Sequence, residues 1–249
     1  MSINSPPNSL NLLKDSLTRS KRIVFLTGSG ISKESGVPTF RGKDGLWKLH
    51  DSSKLASISA FLKNPTLVWE FYHYRQDLIS KCSPNLAHLS ISQIQQDKKD
   101  TWILTQNVDN LHKRANSNNI IELHGNIFKT NCINCGFSDG ELFDIIADIL
   151  PRCKECKNVL KPGVVLFGEP LPSREWNNAI KVASSCDIMF IVGTSLNVSP
   201  ANSLPTYAKD NNAVLVEVNP ETTWLSKSMD FSLKGSAVDI LPKIFNLLR

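Results

Sequence analysis

The stretch TGSGISKESGVPTFRG, which begins at Thr27, constrains the fold of this chain more than any other feature. It follows Arg22–Leu26, an apolar, β-branched run that is short enough to be a buried parallel strand. Gly28 and Gly30 would let the backbone turn sharply and approach a phosphate, and a helix starting at Ile31 would point its positive end toward that phosphate. Strand, glycine turn and helix start, in this order, predict a dinucleotide cradle in an α/β sheet.

The two glycines by themselves also fit an ordinary tight turn. A complete G-x-G-x-x-G fingerprint would need glycine at the position of Lys33. The residues that follow favour a nucleotide site. Gly36 and Pro38 would end the helix early and lead into a glycine-punctuated loop that carries Phe40 and Arg41. Such a loop could close over a ligand.

The same stretch resembles the NAD-binding signature of the sirtuins, the NAD-dependent protein lysine deacylases, and ordered landmarks of that family extend from Arg22 to Pro242. Ser29 departs from the family pattern, which usually has alanine, but serine is small enough to preserve the turn. The resemblance implies that NAD is consumed as a co-substrate, giving nicotinamide and 2′-O-acyl-ADP-ribose. It also implies an α/β fold in which a doubly wound, Rossmann-like large domain carries a small inserted zinc ribbon.

Helix and strand patterns alternate through the last third of the chain, which favours the same doubly wound parallel sheet. The hydrophobic content of 41% is enough for one sizeable core. We therefore expect one catalytic unit over residues 1–249, divided into a Rossmann-like NAD-binding domain (20–47, 84–128 and 164–249), a zinc-ribbon module (129–163) and a helical module for the acyl pocket and cofactor loop (48–83).

Polar residues that follow the predicted strands are the candidate cofactor contacts, because ligands bind α/β sheets at the carboxyl ends of the strands. Each segment taken alone also fits a helix cap or an ordinary turn. By resemblance, the residues that contact NAD are Gly28, Ser29, Gly30, Ser32, Glu34, Pro38, Thr39, Phe40, Arg41, Trp47, Gln106, Asn107, Val108, Asp109, Gly193, Thr194, Ser195, Asn219, Glu221 and Ala237.

His124 is the candidate general base. It ends the predicted strand that starts at Ile120, and Gly125 follows it. A lone histidine is usually structural, but one at a strand terminus beside a nucleotide site has the pKa range and the position for proton transfer. It matches the catalytic histidine of the sirtuin Leu-His-Gly signature, so the resemblance assigns catalysis to His124 together with Asn107. His88 is expected to serve packing or helix capping.

Two CxxC pairs predict a structural zinc site. Cys132 and Cys135 form one pair, and Cys153 and Cys156 form the other, with the spacing of a tetrahedral site of four cysteines. Disulfides are the alternative, which an intracellular chain disfavours. Four thiolates would fill the coordination shell, so the metal would hold a small ribbon together and take no part in the chemistry. A short acidic helix is expected over 139–150.

Tyr72 and Arg75 lie three residues apart on the helix predicted to start after Asn64. They therefore share a face and could present a phenol and a guanidinium to one carboxylate. A core tyrosine beside a solvated arginine is the alternative. In the sirtuin branch that removes succinyl, malonyl and glutaryl groups, a Tyr-x-x-Arg pair in this helix reads the acyl carboxylate, and Ser52 fits the small residue that widens the pocket. The resemblance thus implies a preference for acidic acyl groups and weaker deacetylation.

The segment from Lys161 to Glu169 is, as a bare sequence, a buried strand and a loop. It resembles the sirtuin segment whose backbone pairs with the substrate peptide as an added strand. By resemblance, the residues that contact the acyl-lysine peptide here are Val164, Phe167, Gly168 and Glu169.

Charge and composition disfavour other partners. The net charge of +5 includes no basic run, so neither nucleic acid nor membrane binding is indicated. The first residues lack a secretory pattern and no window approaches a membrane span, so a cytoplasmic location is expected, with nuclear and organellar locations left open. A monomer is expected. A plain deacetylase, a mono-ADP-ribosyltransferase using the same cleft and a non-catalytic NAD sensor remain as alternatives. An oxidoreductase fits poorly, because the glycine fingerprint is incomplete.

Overall fold

The computed structural model describes residues 9–40, 45, 51–98, 100–139 and 150–248. Its centre is a parallel sheet of six strands in the order β3-β2-β1-β7-β8-β9. These strands are β1 (Ile23–Thr27), β2 (Thr101–Thr105), β3 (Ile120–Glu122), β7 (Ile188–Val192), β8 (Val214–Asn219) and β9 (Phe231–Lys234). The strand order reverses between β1 and β7, which is where open α/β sheets bind ligands.

Both faces of the sheet are covered, as its continuous apolar strands require. Successive residues of β1 alternate between two hydrophobic cores: Ile23 and Phe25 belong to one, Val24 and Leu26 to the other. The ring of Phe25 stacks on that of Phe190 in β7, with centroids 4.9 Å apart. This arrangement confirms the predicted doubly wound fold.

The helices divide between the two faces. On the first face lie α1 (Ser9–Arg19), α5 (Leu86–Asp97) and α9 (Ala237–Leu247), and on the second lie α7 (Ser173–Ala183) and α8 (Leu204–Asp210). Four further helices complete the set for the described residues: α2 (Ser52–Leu55), α3 (Ile58–Lys63), α4 (Pro65–Ser80) and α6 (Leu111–Arg114). None of the helices that the structure describes is both long and apolar enough to cross a membrane.

A second, antiparallel sheet carries the cysteines. It consists of β4 (Gly125–Asn131), β5 (Ser138–Asp139) and β6 (Lys161–Val164) in the order β5-β4-β6. Helix α4 packs against it, and the indole Nε1 of Trp69 donates to the carbonyl of Leu160 at 2.8 Å. Strand β4 begins before residue 129 and β6 ends after residue 163, so the small sheet extends beyond the predicted limits of the zinc-ribbon module. The division of the chain into modules stays a prediction. The helix expected over 139–150 falls almost wholly outside the described residues.

Three local expectations need correction. Strand β9 was not predicted, because Phe231–Lys234 is short and bears a serine and a lysine. The segment after β1 is a 3₁₀-helix, Ser29–Ser35, which Gly36 ends in a left-handed conformation with φ of 93°. The strand that leads to His124 stops at Glu122, and Leu123 and His124 form the turn into β4.

Candidate functional site

One cavity of about 1250 Å³ runs along the carboxyl ends of β1, β2, β7 and β8 and reaches the small sheet. It exceeds the size range of pockets for drug-sized ligands and has room for a dinucleotide beside a second substrate. The predicted residues that line it are Gly28, Ser29, Gly30, Glu34, Thr39, Phe40, Tyr72, Arg75, Gln106, Asn107, Val108, His124, Val164, Phe167, Gly168, Glu169, Gly193, Thr194, Ser195, Asn219, Glu221 and Ala237.

The described lining of the cavity leaves out five predicted cofactor contacts, for two different reasons. Arg41 and Trp47 lie outside the described residues. Ser32 and Asp109 are buried behind the wall, and Pro38 is half-buried away from it. Their sequence signal was a place in a motif, which does not separate residues that face a cavity from residues that support its wall.

The loops after β1 and β7 meet at the cavity through glycine. The amide of Gly30 donates to the carbonyl of Gly193 at 2.8 Å. A Cβ at Gly30 would lie 2.7 Å from the Gly193 Cα, and one at Gly28 would lie 2.7 Å from the Thr194 Cβ. Glycine is therefore required for contact between the loops. The amides of Gly28 and Gly30 are used within the protein, so the unpaired donors expected there are fewer than the motif suggested.

Behind this turn, polar side chains bond to one another. The Ser32 hydroxyl donates to Asp109 Oδ2 at 2.7 Å, and Asn107 Nδ2 donates to the Gly28 carbonyl at 3.1 Å and to Ser32 Oγ at 3.2 Å. Burial raises the pKa of Asp109, and the bonds from Ser32 and the Leu111 amide oppose that shift. Ser32 and Asp109 thus hold Asn107 in place at the cavity wall.

His124 lies at the turn between β3 and β4, at the end of the cavity nearest β2. Its Nδ1 is 3.0 Å from the carbonyl oxygen of Gln106, which can only accept, so Nδ1 carries the proton and Nε2 keeps its lone pair. Burial lowers the pKa of His124, and the bond to Gln106 partly offsets this. The next residue, Gly125, has φ of 77°, and a Cβ there would meet the Gly163 carbonyl. A neutral imidazole is therefore fixed in one tautomer.

Two further histidines, His88 and His112, are buried behind the cavity wall near Ser32, on the side that we call the cofactor end. His88 Nδ1 accepts from the amide of Asn85 at 3.3 Å, which confirms its predicted capping role. The rings of His88 and His112 meet edge to face with centroids 4.9 Å apart, and His112 Nε2 is 3.0 Å from Thr27 Oγ1. Burial lowers the pKa of His88 to about 4 and that of His112 well below its usual value. His112 had no sequence signal beyond its place after the Asn-Val-Asp-Asn cluster.

Tyr72 and Arg75 belong to helix α4 and line the part of the cavity beside Phe40, with only 4% and 5% of their surfaces exposed. The Arg75 Cζ lies 4.5 Å from the ring centroid of Phe40 and 6.0 Å from that of Phe71. Burial lowers the pKa of Arg75 and raises that of Tyr72 to about 12. Within the described part of the chain, Arg75 forms no ion pair and donates no hydrogen bond.

The segment after β6 is held by its own charged pair. Lys161 Nζ donates to the carbonyl of Val164 at 2.6 Å and lies 3.1 Å from Glu169 Oε2, which also accepts the Leu166 amide at 2.8 Å. The backbone of Phe167 bonds to Ala56 and Ile58. An added strand would therefore have fewer backbone partners than expected. Glu169 supports this segment from within, in addition to lining the cavity.

Four cysteine sulfurs form a cluster beside the small sheet, in the segments that connect its strands. The Sγ atoms of Cys132, Cys135, Cys153 and Cys156 all lie within 4.8 Å of one another, and all are free thiols. Two of the Sγ pairs are 3.4 and 3.5 Å apart. A tetrahedral zinc ion with Zn–S bonds of about 2.3 Å would place its sulfurs about 3.8 Å apart, so this donor set fits one structural zinc. Asn158 Nδ2 lies 3.5 Å from the Cys156 Sγ, where it would support a thiolate.

The cavity also has lining residues that the sequence did not indicate. They come from α7 and from the loops after β7 and β8, and they include Trp176, Asn177, Asn197, Val198 and Trp224. No spacing rule marks such residues, because each belongs to a helix or loop that the fold alone brings to the cavity.

The Sir2 family model matches residues 28–200. A protein named NAD-dependent protein deacylase 1, from Caldanaerobacter subterraneus subsp. tengcongensis, is 46% identical over 232 residues, which cover 93% of this chain and 96% of that protein. An NAD-dependent protein deacylase from Aquifex aeolicus is 45% identical over 227 residues, 91% of this chain and 95% of the relative.

Solved structures agree with this match. A Sir2 homologue in complex with NAD superposes with a TM-score of 0.88 at 40% identity, covering 96% of this chain and 93% of that one. A complex described as Sir2, p53 peptide and NAD⁺ gives a TM-score of 0.84 at 29% identity, with coverage of 95% and 97%. The chain belongs to the Sir2 family.

Proposed function

We propose that this protein is an NAD-dependent protein lysine deacylase that removes acidic acyl groups, namely succinyl, malonyl or glutaryl, faster than acetyl. Its relatives are named NAD-dependent protein deacylases, which supports the general reaction. The acyl preference depends on one observation: Arg75 lines the cavity as a buried cation that forms no ion pair with a described residue, and Asp109 attracts it only from beyond ion-pair distance.

The orientation of NAD follows from the strand order. The paired glycine loops lie at the switch point between β1 and β7, where a pyrophosphate fits. Gln106, Asn107 and His124 lie toward β2, whereas Asn219 and Glu221 lie toward β8. We place the nicotinamide ribose at the His124 end and the adenosine at the β8 end. When bound, NAD supplies the ribose that accepts the acyl group.

His124 is the general base in this proposal. Its Nε2 takes a proton from a ribose hydroxyl, while Nδ1 keeps its proton on the Gln106 carbonyl. The lowered pKa keeps the imidazole neutral, and therefore able to act as a base, at neutral pH. Asn107 Nδ2 donates to the Gly28 carbonyl and to Ser32 Oγ, and these two bonds fix the Asn107 side chain at the cavity wall.

The acyl group would extend from the lysine to Arg75 and Tyr72. A carboxylate on its far end would pair with the guanidinium and accept from the Tyr72 hydroxyl, which is protonated because its pKa is about 12. An acetyl group would leave the buried cation unpaired. A site built for a polar partner rejects an analogue that lacks it, here by about 2 to 4 kcal/mol, which is roughly a hundredfold in kcat/KM.

The test compares succinyl-lysine and acetyl-lysine versions of one peptide, with mass detection of the free lysine and of 2′-O-acyl-ADP-ribose. Wild type should prefer the succinyl peptide. Arg75→Met should abolish the preference and leave acetyl removal nearly unchanged, whereas Arg19→Met, a matched change of an exposed arginine on α1, should alter neither rate.

His124→Ala should abolish both activities, because both reactions use the same base. Equal wild-type rates on the two peptides would contradict the acyl preference and leave a plain deacetylase. Transfer of ADP-ribose onto protein without acyl loss would contradict deacylation and favour a mono-ADP-ribosyltransferase.

A further inference from the structure

Glu217 is a buried carboxylate without a role in the reaction set out above. It lies near the carboxyl end of β8, is 2% exposed and does not line the cavity. Three hydroxyls bond to it: Thr223 Oγ1 at 2.7 Å, Ser226 Oγ at 2.6 Å and Ser232 Oγ at 3.0 Å. Among the described residues it has no cationic partner. Burial of a carboxylate is costly, and donors of this kind offset the cost.

Two of these three hydroxyls belong to the segment 220–226, which we call the β8 loop. Thr223 and Ser226 are in this loop, and the Ser226 hydroxyl also accepts the Thr223 amide at 2.7 Å. The loop borders the cavity through Pro220, Glu221, Thr222, Thr223 and Trp224. Ser232 lies on β9, outside the loop. Glu217 therefore anchors the β8 loop from below and ties it to the neighbouring strand.

The upper side of the β8 loop is attached to the loop after β7. Trp224 is 58% exposed, yet its indole Nε1 donates to the carbonyl of Leu196 at 2.9 Å. Asn219 Nδ2 donates to the carbonyl of Thr194 at 2.9 Å. The loop after β7 and the segment after β8 are thus joined to each other by two hydrogen bonds. On its buried side the β8 loop is held by Glu217.

We infer that Glu217 is a positioning residue for the adenosine half of NAD. It acts through Thr223 and Ser226, which set the position of the β8 loop, and it does not touch the cofactor. The inference rests on the NAD orientation given under the proposed function. A carboxylate suits this position because it can accept from several hydroxyls at once, which an apolar side chain cannot do.

The experiment compares two matched variants, Ser226→Ala and Ser232→Ala. Each removes one hydroxyl from Glu217 Oε2, but only the first lies in the β8 loop. Binding of ADP-ribose is measured by calorimetry, the KM for NAD and for the acyl peptide by steady-state kinetics, and folding by thermal unfolding. Ser226→Ala should weaken ADP-ribose binding and raise the KM for NAD by about threefold to tenfold, with kcat and the peptide KM unchanged.

Ser232→Ala should change the affinity for ADP-ribose by less than about twofold, even if it lowers the unfolding temperature as much as Ser226→Ala does. Glu217→Gln keeps the shape, weakens acceptance from the hydroxyls and should resemble Ser226→Ala. Equal weakening in both serine variants, or none in Ser226→Ala, would overturn the inference. The succinyl-to-acetyl rate ratio should stay at its wild-type value in all three variants. The ratio therefore tests the acyl preference, and ADP-ribose binding tests the role of Glu217, so that one can fail without the other.

Discussion

The two ends of the cavity satisfy their polar groups in opposite ways. At the cofactor end, Ser32, Asn107 and Asp109 are buried and bond to one another, and the glycine loops are joined through their own backbones. The part lined by Tyr72 and Arg75 is called the acyl end here, after the proposed function. There Arg75 is equally buried, but its guanidinium faces two aromatic rings and forms no ion pair with a described residue, while Asp109 attracts it only from beyond ion-pair distance.

This difference indicates what each end requires from its ligand. The cofactor end is largely preformed, because Ser32, Asn107 and Asp109 bond to one another before a ligand arrives, whereas His112 Nδ1 finds no hydrogen-bond partner among the described residues. The acyl end contains a charge whose desolvation is offset only in part, by the aromatic rings and by Asp109 beyond ion-pair distance, so a ligand carboxylate would add the direct ion pair that the described residues do not supply. The segment 161–169, which we call the peptide segment, is intermediate: it contains buried charges, but Lys161 and Glu169 pair with each other.

Loss of zinc should have the largest effect on stability, and it should destabilise the small sheet far more than the six-stranded sheet. Ile127, Phe128 and Val164 of the small sheet pack with α4, but near the cysteines there is only a minor core of Cys132, Cys153 and Leu160. The metal therefore supplies much of the stability of the cysteine-bearing part, on the order of 10 kcal/mol of binding free energy. After chelation, hydrogen exchange should show loss of protection over 125–131 and 161–164, while β1 and β7 stay protected. Zinc addition should restore protection. Uniform loss over both sheets would contradict the comparison.

Lys161→Met should destabilise the peptide segment strongly. It leaves Glu169 as a half-buried charge without its partner, and breaking a buried pair costs about 3 to 5 kcal/mol. Urea unfolding measures the loss, and the KM for the peptide should rise while the KM for NAD does not. In the matched double variant Lys161→Met with Glu169→Gln, much of the stability should return. A double variant as unstable as the single one would show that the ion pair is not the cause.

Acid should destabilise the cofactor end through its buried histidines. The folded-state pKa of His88 is about 4, below its ordinary value of 6.5, so the unfolded chain binds protons first as the pH falls. Stability is therefore complete above pH 6.5 and declines below it. The decline from this one residue should reach about 2 kcal/mol between pH 7 and pH 5.

Burial shifts the pKa of His112 in the same direction and adds to this decline. Urea titrations at the two pH values measure it, with His88→Asn as the control. Asparagine can still accept the Asn85 amide but does not titrate, so its slope should be smaller. A wild-type slope equal to that of the control would contradict the account.

Arg75→Met should stabilise the folded protein by about 1 to 2 kcal/mol, because it removes a buried charge that forms no ion pair with any described residue. Urea unfolding of the ligand-free protein provides the measurement. Arg19→Met, at an exposed position, should change stability by less than about 0.5 kcal/mol. A clear loss of stability in Arg75→Met would indicate that the guanidinium is already satisfied within the protein.

Local patterns in the sequence predicted the parts of the site that depend on neighbouring residues. The strand and glycine turn at Gly28, the two CxxC pairs and the pair at Tyr72 and Arg75 each occupy a few adjacent positions. Their geometry follows from one turn, one sheet or one helix face. The parallel sheet was predictable for the same reason, apart from the short edge strand β9.

Contacts between distant segments could not be predicted. The tautomer of His124 depends on a carbonyl eighteen positions away, and Glu217 is held by hydroxyls six, nine and fifteen positions along the chain. That Arg75 forms no ion pair with a residue in the described part of the chain depends on every segment packed around α4. Spacing carries no record of such contacts, because they arise only when the whole fold is assembled.

The most direct test of the unpaired charge at Arg75 compares a succinyl-lysine peptide with its succinamide analogue, in which an amide of equal size replaces the carboxylate. Binding and kcat/KM are measured for wild type and Arg75→Met. The account predicts that wild type favours the carboxylate by about a hundredfold and that Arg75→Met removes this difference. Equal use of the carboxylate and the amide by wild type would show that the pocket selects size and not charge, and would contradict the account.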